Sequence, residues 1–285
     1  GECAIKSPSA CSVCPAHPHP AKPAAATVLE RRSIPVVDFP TGVAKAGLTS
    51  VVEKGKLSTR RAYGVALLAI AEADERVMAL DGDVSNSTYA DILGKKHPGR
   101  FVECKIAEQN MVSTAAGLAA AGFIPFVSSF AKFIARAYDQ IEMAQITRAN
   151  IKITGSHAGI SLAADGPSQM SLSDVAYFRS ASETDNGRGR PVCVSFHPSD
   201  ALAAYHCTWL MANHDGMCYL RTHRADVPII HGPDTRFEIG GSHVLQTGDA
   251  LTIVSAGYMV HVCRDAVKLL AAEGVAKGAD DCAVQ

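Results

Sequence analysis

The sequence predicts an α/β fold in which a parallel sheet is flanked by helices on both faces, followed by the start of a second α/β unit. Three observations predict it. From residue 58 onward, short apolar runs alternate with segments of helical period. Several of these runs end in polar or aromatic groups, as expected where strand exits line a binding edge. The chain has 285 residues, 47% of them hydrophobic, enough to fill the core of such a sheet.

Residues 1–57 read as a disordered tail and linker. Pro8, Pro15, Pro18, Pro20 and Pro23 stand among Ala and Ser with neither helical nor strand period, and such a stretch cannot bury enough apolar surface to order itself. Cys11, Cys14, His17 and His19 are zinc-ligand types, but His-x-His is too tight for a finger, so no metal site is assigned there. Residues 31–56 read as an extended connector that Pro35 and Pro40 keep out of helix.

Ser58 then caps a helix whose apolar face is Tyr63, Leu67, Ile70 and Ala71 and which ends near Asp74. The first strand covers 77–80 and is halted by Asp81-Gly82-Asp83; the next three cover 101–104, 124–128 and 151–154, and the last two 192–196 and 217–220. A helix with Phe130, Ile134, Ala137, Ile141 and Ala144 on one stripe joins the third strand to the fourth, and another spans about 200–213. Residues 179–191 are polar, contain Gly and show no period, so they form an exposed, mobile loop. These elements make one domain over 58–228. Beyond Pro233, a strand at 251–256 and an amphipathic helix at 261–273 open a second unit over 236–285, too short to stand alone and read as incomplete.

Composition excludes several function classes. The formal net charge is −1 with the signs interspersed, so no basic field points to nucleic acid or a membrane surface. The longest apolar run, near 115–127, is too short to span a bilayer, and the first thirty residues lack a secretory layout. Nine cysteines scattered over apolar segments read as reduced thiols, which points to the cytoplasm.

The chemistry gathers where strands end. Glu108 stands where the second strand gives way to an Ala-rich helix, a place that by itself suits any first-turn acid. Its company gives it more meaning: Asp81 and Asp83, Phe130 and Phe133, His157 in a Gly-punctuated loop, and Arg221 all fall at strand exits. Asp81-Gly82-Asp83 reads as a turn and not a metal pair, since no third ligand stands at a useful spacing. Ser, His and Asp share the 155–170 loop, but no nucleophile elbow precedes them.

Five motifs in order resemble one family closely. They are Asp81-Gly82-Asp83 with Asn86-Ser87-Thr88, Ala107-Glu108-Gln109-Asn110-Met111, Phe130 and Phe133 with Arg136-Ala137-Tyr138-Asp139-Gln140, Gly155-Ser156-His157, and Asp165-Gly166-Pro167-Ser168-Gln169-Met170. From about 57 to 224 the chain resembles the pyrimidine-binding domain of transketolases, thiamine-diphosphate enzymes of the pentose phosphate pathway. The last two motifs favour that family over deoxyxylulose-phosphate synthase and the oxo-acid dehydrogenases.

The resemblance implies transfer of a two-carbon ketol unit from a ketose phosphate to an aldose phosphate, with thiamine diphosphate and Mg2+ as cofactors. Glu108 and His157 are then catalytic, with Glu108 on N1′ of the aminopyrimidine. Phe130 and Phe133 would pack on that ring, and Asp83 would stand near the thiazolium. Arg60, Ser87, His157 and Arg221 match the family's phosphate-holding positions. His157, Asp165 and Gln169 match its substrate channel. No metal ligand falls on this chain, because the family's Mg2+ motif lies on a diphosphate-binding domain that precedes the matched region. The partner implied is that domain or subunit, in a homodimer or heterotetramer. Another thiamine-diphosphate enzyme, or a non-catalytic relative lacking that domain, are the competing expectations.

Overall fold

The computed structural model describes residues 33–187, 189–247, 251–273 and 281–284. Cys11, Cys14, His17 and His19 lie outside them, as do the other residues of 1–32 within the tail and linker expected over 1–57.

The stretch expected to be an extended connector is helical. α1 (Phe39–Lys45) begins with Pro40 in its first turn, where the missing N–H costs nothing, and Asp38 accepts from the Thr41 backbone N–H at 2.9 Å. α2 (Thr49–Val52) follows. Ile34, Phe39 and Val43 are buried against the core, which corrects the reading of these residues as linker. A proline is excluded from the interior of a helix but favoured in its first turn, which is where Pro40 stands.

The chain continues through β1 (Lys56–Leu57), α3 (Thr59–Ala73), β2 (Val77–Asp81), α4 (Ser85–Thr88), α5 (Asp91–Lys96), β3 (Phe101–Glu103), α6 (Glu108–Ala120) and β4 (Ile124–Phe130). Then come α7 (Ala131–Ile134), α8 (Tyr138–Ile146), β5 (Lys152–Ser156), α9 (Asp174–Ser182), β6 (Cys193–Phe196), α10 (Ala201–Asn213), β7 (Met217–Arg221) and β8 (Val227–Pro228). A last group comprises β9 (His243–Val244), β10 (Thr252–Ser255), α11 (Met259–Ala272) and β11 (Asp281–Val284).

Six strands form one parallel sheet in the order β3-β2-β4-β5-β7-β6. Successive residues feed opposite faces: Ala79, Phe126 and Cys218 enter one core with α3 and α10, while Leu80, Val127 and Tyr219 enter the other with α6, α8 and α9. Tyr63 to Ala71 are buried on every side, so α3 is a central helix and not an amphipathic one. β1 pairs with β8 antiparallel, tying the start of the domain to its end.

Two further expectations change. Phe130 is the last residue of β4, not the first of a helical stripe, and the helix expected after it is broken by a 3-10 turn over Ala135–Ala137. Arg179 to Ser182 belong to α9; the exposed loop begins only at Glu183. Among the described residues Cys104, Cys193, Cys207, Cys218 and Cys263 are free thiols, and no helix is long and apolar enough to cross a membrane.

Candidate functional site

Because all six strands run the same way, their carboxyl ends share one edge. At the end of β4 the chain turns directly into α7, and this brings Phe130 and Phe133 together, rings 5.1 Å apart and 15° from parallel. At the end of β5, His157 adopts φ 54°, a left-handed conformation that swings its ring to 4.1 Å from that of Phe130. Its Nδ1 shares a hydrogen bond of 2.9 Å with Ser156 Oγ. Burial, and then the charges of Arg60 and Arg224, push the His157 pKa down to about 3, so the ring is neutral at pH 7.

Glu108 is the first residue of α6 and only 2% exposed. The positive end of the helix favours a carboxylate there. Arg136, in the 3-10 turn after α7, donates from Nη1 to Glu108 Oε1 at 2.6 Å and holds its guanidinium 4.7 Å from the Phe133 ring centre. Glu108 thereby joins the column of Phe133, Phe130 and His157. One residue before Phe130 in β4, and close to Gly82, Ser129 Oγ is buried without a hydrogen-bond partner among the described residues.

A second group forms at the end of β7. Arg221 donates from Nε to the buried Asp174 Oδ2 at 2.7 Å and from Nη1 to His197 Nε2 at 3.0 Å. Arginine has no acceptor, so His197 is the neutral acceptor here, in keeping with a pKa pushed down to about 3 by burial and then by Arg221 and His223. Gly159 has φ 63°, and a Cβ there would lie 3.0 Å from Arg221 Nη2; the His157 loop thus passes directly over Arg221. Arg60 closes the third side. It donates from Nη1 to the Ser87 carbonyl at 2.7 Å and from Nε to the Arg224 carbonyl at 3.3 Å, with its guanidinium 5.0 Å from the Tyr89 ring centre.

The structure therefore brings together Glu108, Phe130, Phe133 and His157, with Arg221 and Arg60 beside them. Ser87 meets Arg60 through its backbone. Gln169 stands in a short turn packed against α7, while Asp165 is exposed. Asp83 turns away from the column: it is exposed, its N–H donates to Glu103 Oε1 at 3.1 Å, and its carboxylate lies 3.8 Å from Lys105 Nζ. Asp81 is a loop anchor, accepting from the Val84 N–H at 2.7 Å and the Thr88 hydroxyl at 2.6 Å.

Sequence reasoning missed Asp174, His197, His223 and the part played by Arg136. His197 immediately follows β6 and His223 stands two residues past the end of β7, so the strand-exit rule that found Arg221 would have found them. Asp174 carries no such signal, because only tertiary folding brings α9 to Arg221.

A buried carboxyl group beside stacked aromatic faces fits a flat heterocycle whose ring nitrogen can hydrogen-bond that group, as an aminopyrimidine can. No group of three or more His, Cys, Asp or Glu among the described residues could hold a metal ion.

Residues 55–229 match the family model described as transketolase, pyrimidine binding domain. The chain is 45% identical over 222 residues to transketolase-like protein 1 of Bos taurus, covering 77% of this chain and 36% of that protein. It is 42% identical over 244 residues to the transketolase of Homo sapiens, covering 85% and 38%. The chain thus spans little more than a third of the length of these curated relatives. Among solved structures, a split gene transketolase described as an inactive β4 tetramer is 35% identical with a TM-score of 0.65, covering 81% of this chain and 71% of that one. The transketolase of Campylobacter jejuni shares the fold, with a TM-score of 0.66 at 19% identity, over 80% of this chain and 35% of that one. The chain belongs to the transketolase family, and residues 55–229 are its pyrimidine-binding domain.

Proposed function

We propose that this chain is the pyrimidine-binding portion of a transketolase, moving a two-carbon ketol unit from a ketose phosphate to an aldose phosphate. The observation that carries the reading is the column of Phe133, Phe130 and His157, closed by the buried carboxylate of Glu108. Thiamine diphosphate, when bound, supplies the carbon nucleophile that carries the ketol unit.

The chain's own residues then divide the remaining work. Glu108 would hydrogen-bond N1′ of the aminopyrimidine, and Phe130 and Phe133 would hold the ring by stacking. Neutral His157 can donate from one ring nitrogen and accept at the other, which suits a sugar hydroxyl whose proton must move. Arg60 and Arg221 receive the substrate phosphate, with Ser87 beside Arg60. Asp174 and His197 keep the Arg221 fork in one orientation before substrate arrives. Asp165 and Gln169 bind sugar hydroxyls. Asp83 reaches the thiazolium only after leaving Lys105.

The site is completed by a diphosphate-binding domain on a second chain, which also holds Mg2+. Ile106, two residues before Glu108, is 72% exposed, and Leu172, three after Gln169, is 75% exposed. Apolar side chains left in water around a polar site support a surface that a partner subunit covers. The proposed setting is a cytoplasmic homodimer or heterotetramer.

The test is formation of sedoheptulose 7-phosphate from xylulose 5-phosphate and ribose 5-phosphate, with thiamine diphosphate and Mg2+. The assay is run before and after adding a transketolase diphosphate-domain chain. Activity is expected only after the addition. Continued silence with a folded partner would remove the catalytic reading.

A further inference from the structure

Arg136 makes two contacts that bear on how the site is entered. Its guanidinium donates to Glu108 Oε1 at 2.6 Å and lies 4.7 Å from the centre of the Phe133 ring. These are two of the three residues that the reading above gives to the aminopyrimidine, and the inference rests on that reading. A guanidinium is flat, cationic and furnished with N–H donors. It therefore satisfies both partners as a protonated heterocycle would, the carboxylate by a charge-assisted hydrogen bond and the ring face by cation–π attraction.

The two ends of this ion pair differ in freedom. The Glu108 side chain is 2% exposed and that of Arg136 is 51% exposed. A carboxylate so deeply buried needs a counter-charge, whereas a half-exposed arginine can swing into water at little cost. We propose that Arg136 is a built-in stand-in for the cofactor's pyrimidine ring: in the unliganded chain it neutralises Glu108 and covers Phe133, and it must swing out for the cofactor to bind. The stand-in keeps Glu108 compensated and the aromatic column covered while the site is empty. It also lowers the apparent affinity for the cofactor by the fraction of chains in which Arg136 is seated.

Two measurements test this. Thiamine diphosphate with Mg2+ is titrated calorimetrically into wild type, Arg136→Gln and Arg136→Lys, each supplied with a transketolase diphosphate-domain chain. Arg136→Gln should bind about tenfold tighter than wild type, a difference of about 1.4 kcal/mol. Arg136→Lys should fall between them, because it retains the charge and loses the flat face. Equal or weaker binding by Arg136→Gln overturns the stand-in while leaving the cofactor reading intact; no binding by any form, wild type included, overturns both.

The second measurement needs no cofactor. In thermal melts of the unliganded chain, Arg136→Gln should lower Tm in the wild-type background and leave it unchanged in a Glu108→Gln background. Equal shifts in both backgrounds would show that the two side chains are not coupled, and would overturn the inference.

Discussion

At the scale of single residues, Glu108 combines deep burial with a helix N-terminus and one cation. Replacing it by Ala removes a carboxylate but leaves Arg136 half in water, so the fold should lose no more than about 1 kcal/mol. In the reconstituted enzyme, Glu108→Ala should abolish ketol transfer, because Glu108 is the buried carboxyl group that closes the column and Ala cannot hydrogen-bond the pyrimidine N1′. Retention of more than about 5% of turnover, on the scale where a single essential acid–base group contributes 10²-fold or more, would remove that role. His157 shows the complementary logic. Its ring is kept uncharged by burial and neighbouring guanidinium groups, which leaves it both a donor and an acceptor where a permanent cation would only donate.

At the scale of elements, the loop-to-helix junctions at the carboxyl edge do the positioning. Asp200 is the clearest case. Its side chain accepts from the Ala203 N–H at 2.8 Å, capping α10, and its other oxygen accepts from the N–H groups of Ile230 at 2.7 Å and His231 at 2.9 Å. One carboxylate thus fastens α10 to the segment that follows β8. Asp200→Ala leaves three backbone donors, two of them buried, without partners and should cost about 3 kcal/mol, while Asp200→Asn keeps an acceptor for the helix and should cost less. Urea midpoints of the two variants check this; indistinguishable midpoints would show that the cap is not what holds the segment. Hydrogen exchange at the Ile230 and His231 amides should speed up in Asp200→Ala.

At the scale of the whole molecule, buried ionisable groups set how stability depends on pH. Burial, first among the causes, holds His157 and His197 down to about 3 and His223 to about 4. Near pH 5 the unfolded chain protonates all three and the folded chain does not, so their contribution is present above about pH 6.5 and lost as pH falls. Asp81, pushed up to about 7 by burial, has the opposite sign: between about pH 4 and 7 the folded chain keeps a proton that the unfolded chain releases. Through these four groups the unfolded state binds about two more protons near pH 5, and their contribution to stability should fall by about 3 kcal/mol per pH unit there. Urea unfolding at pH 7, 6 and 5 measures the slope. His157→Gln should reduce it by about 1.4 kcal/mol per pH unit; a flat profile would mean that these rings are hydrated.

The same scale shows how much of the protein its sequence contains. All six strands of the main sheet, and the helices α3, α6 and α10, follow from period and punctuation, because a buried parallel strand is a short apolar run and each covering helix has its own spacing. The strand-exit rule likewise placed Glu108, Phe130, His157 and Arg221 on one edge before any coordinates. Period could not reveal that α1 and α2 are helices, since Pro40 serves equally as a breaker and as a first-turn residue and only packing of Phe39 and Val43 on the core decides between them. Nor could it reveal the pairings across the site. Arg136 with Glu108, Arg221 with Asp174 and His197, and Arg60 with the carbonyls of Ser87 and Arg224 join residues from 24 to 164 positions apart. The sequence by itself determined which chemical groups stand at the sheet's edge, because strand direction and length are local properties. Only the tertiary structure decided which of them are buried, which are charged and which hold one another, because burial and Coulombic interaction depend on distances that close when the sheet assembles.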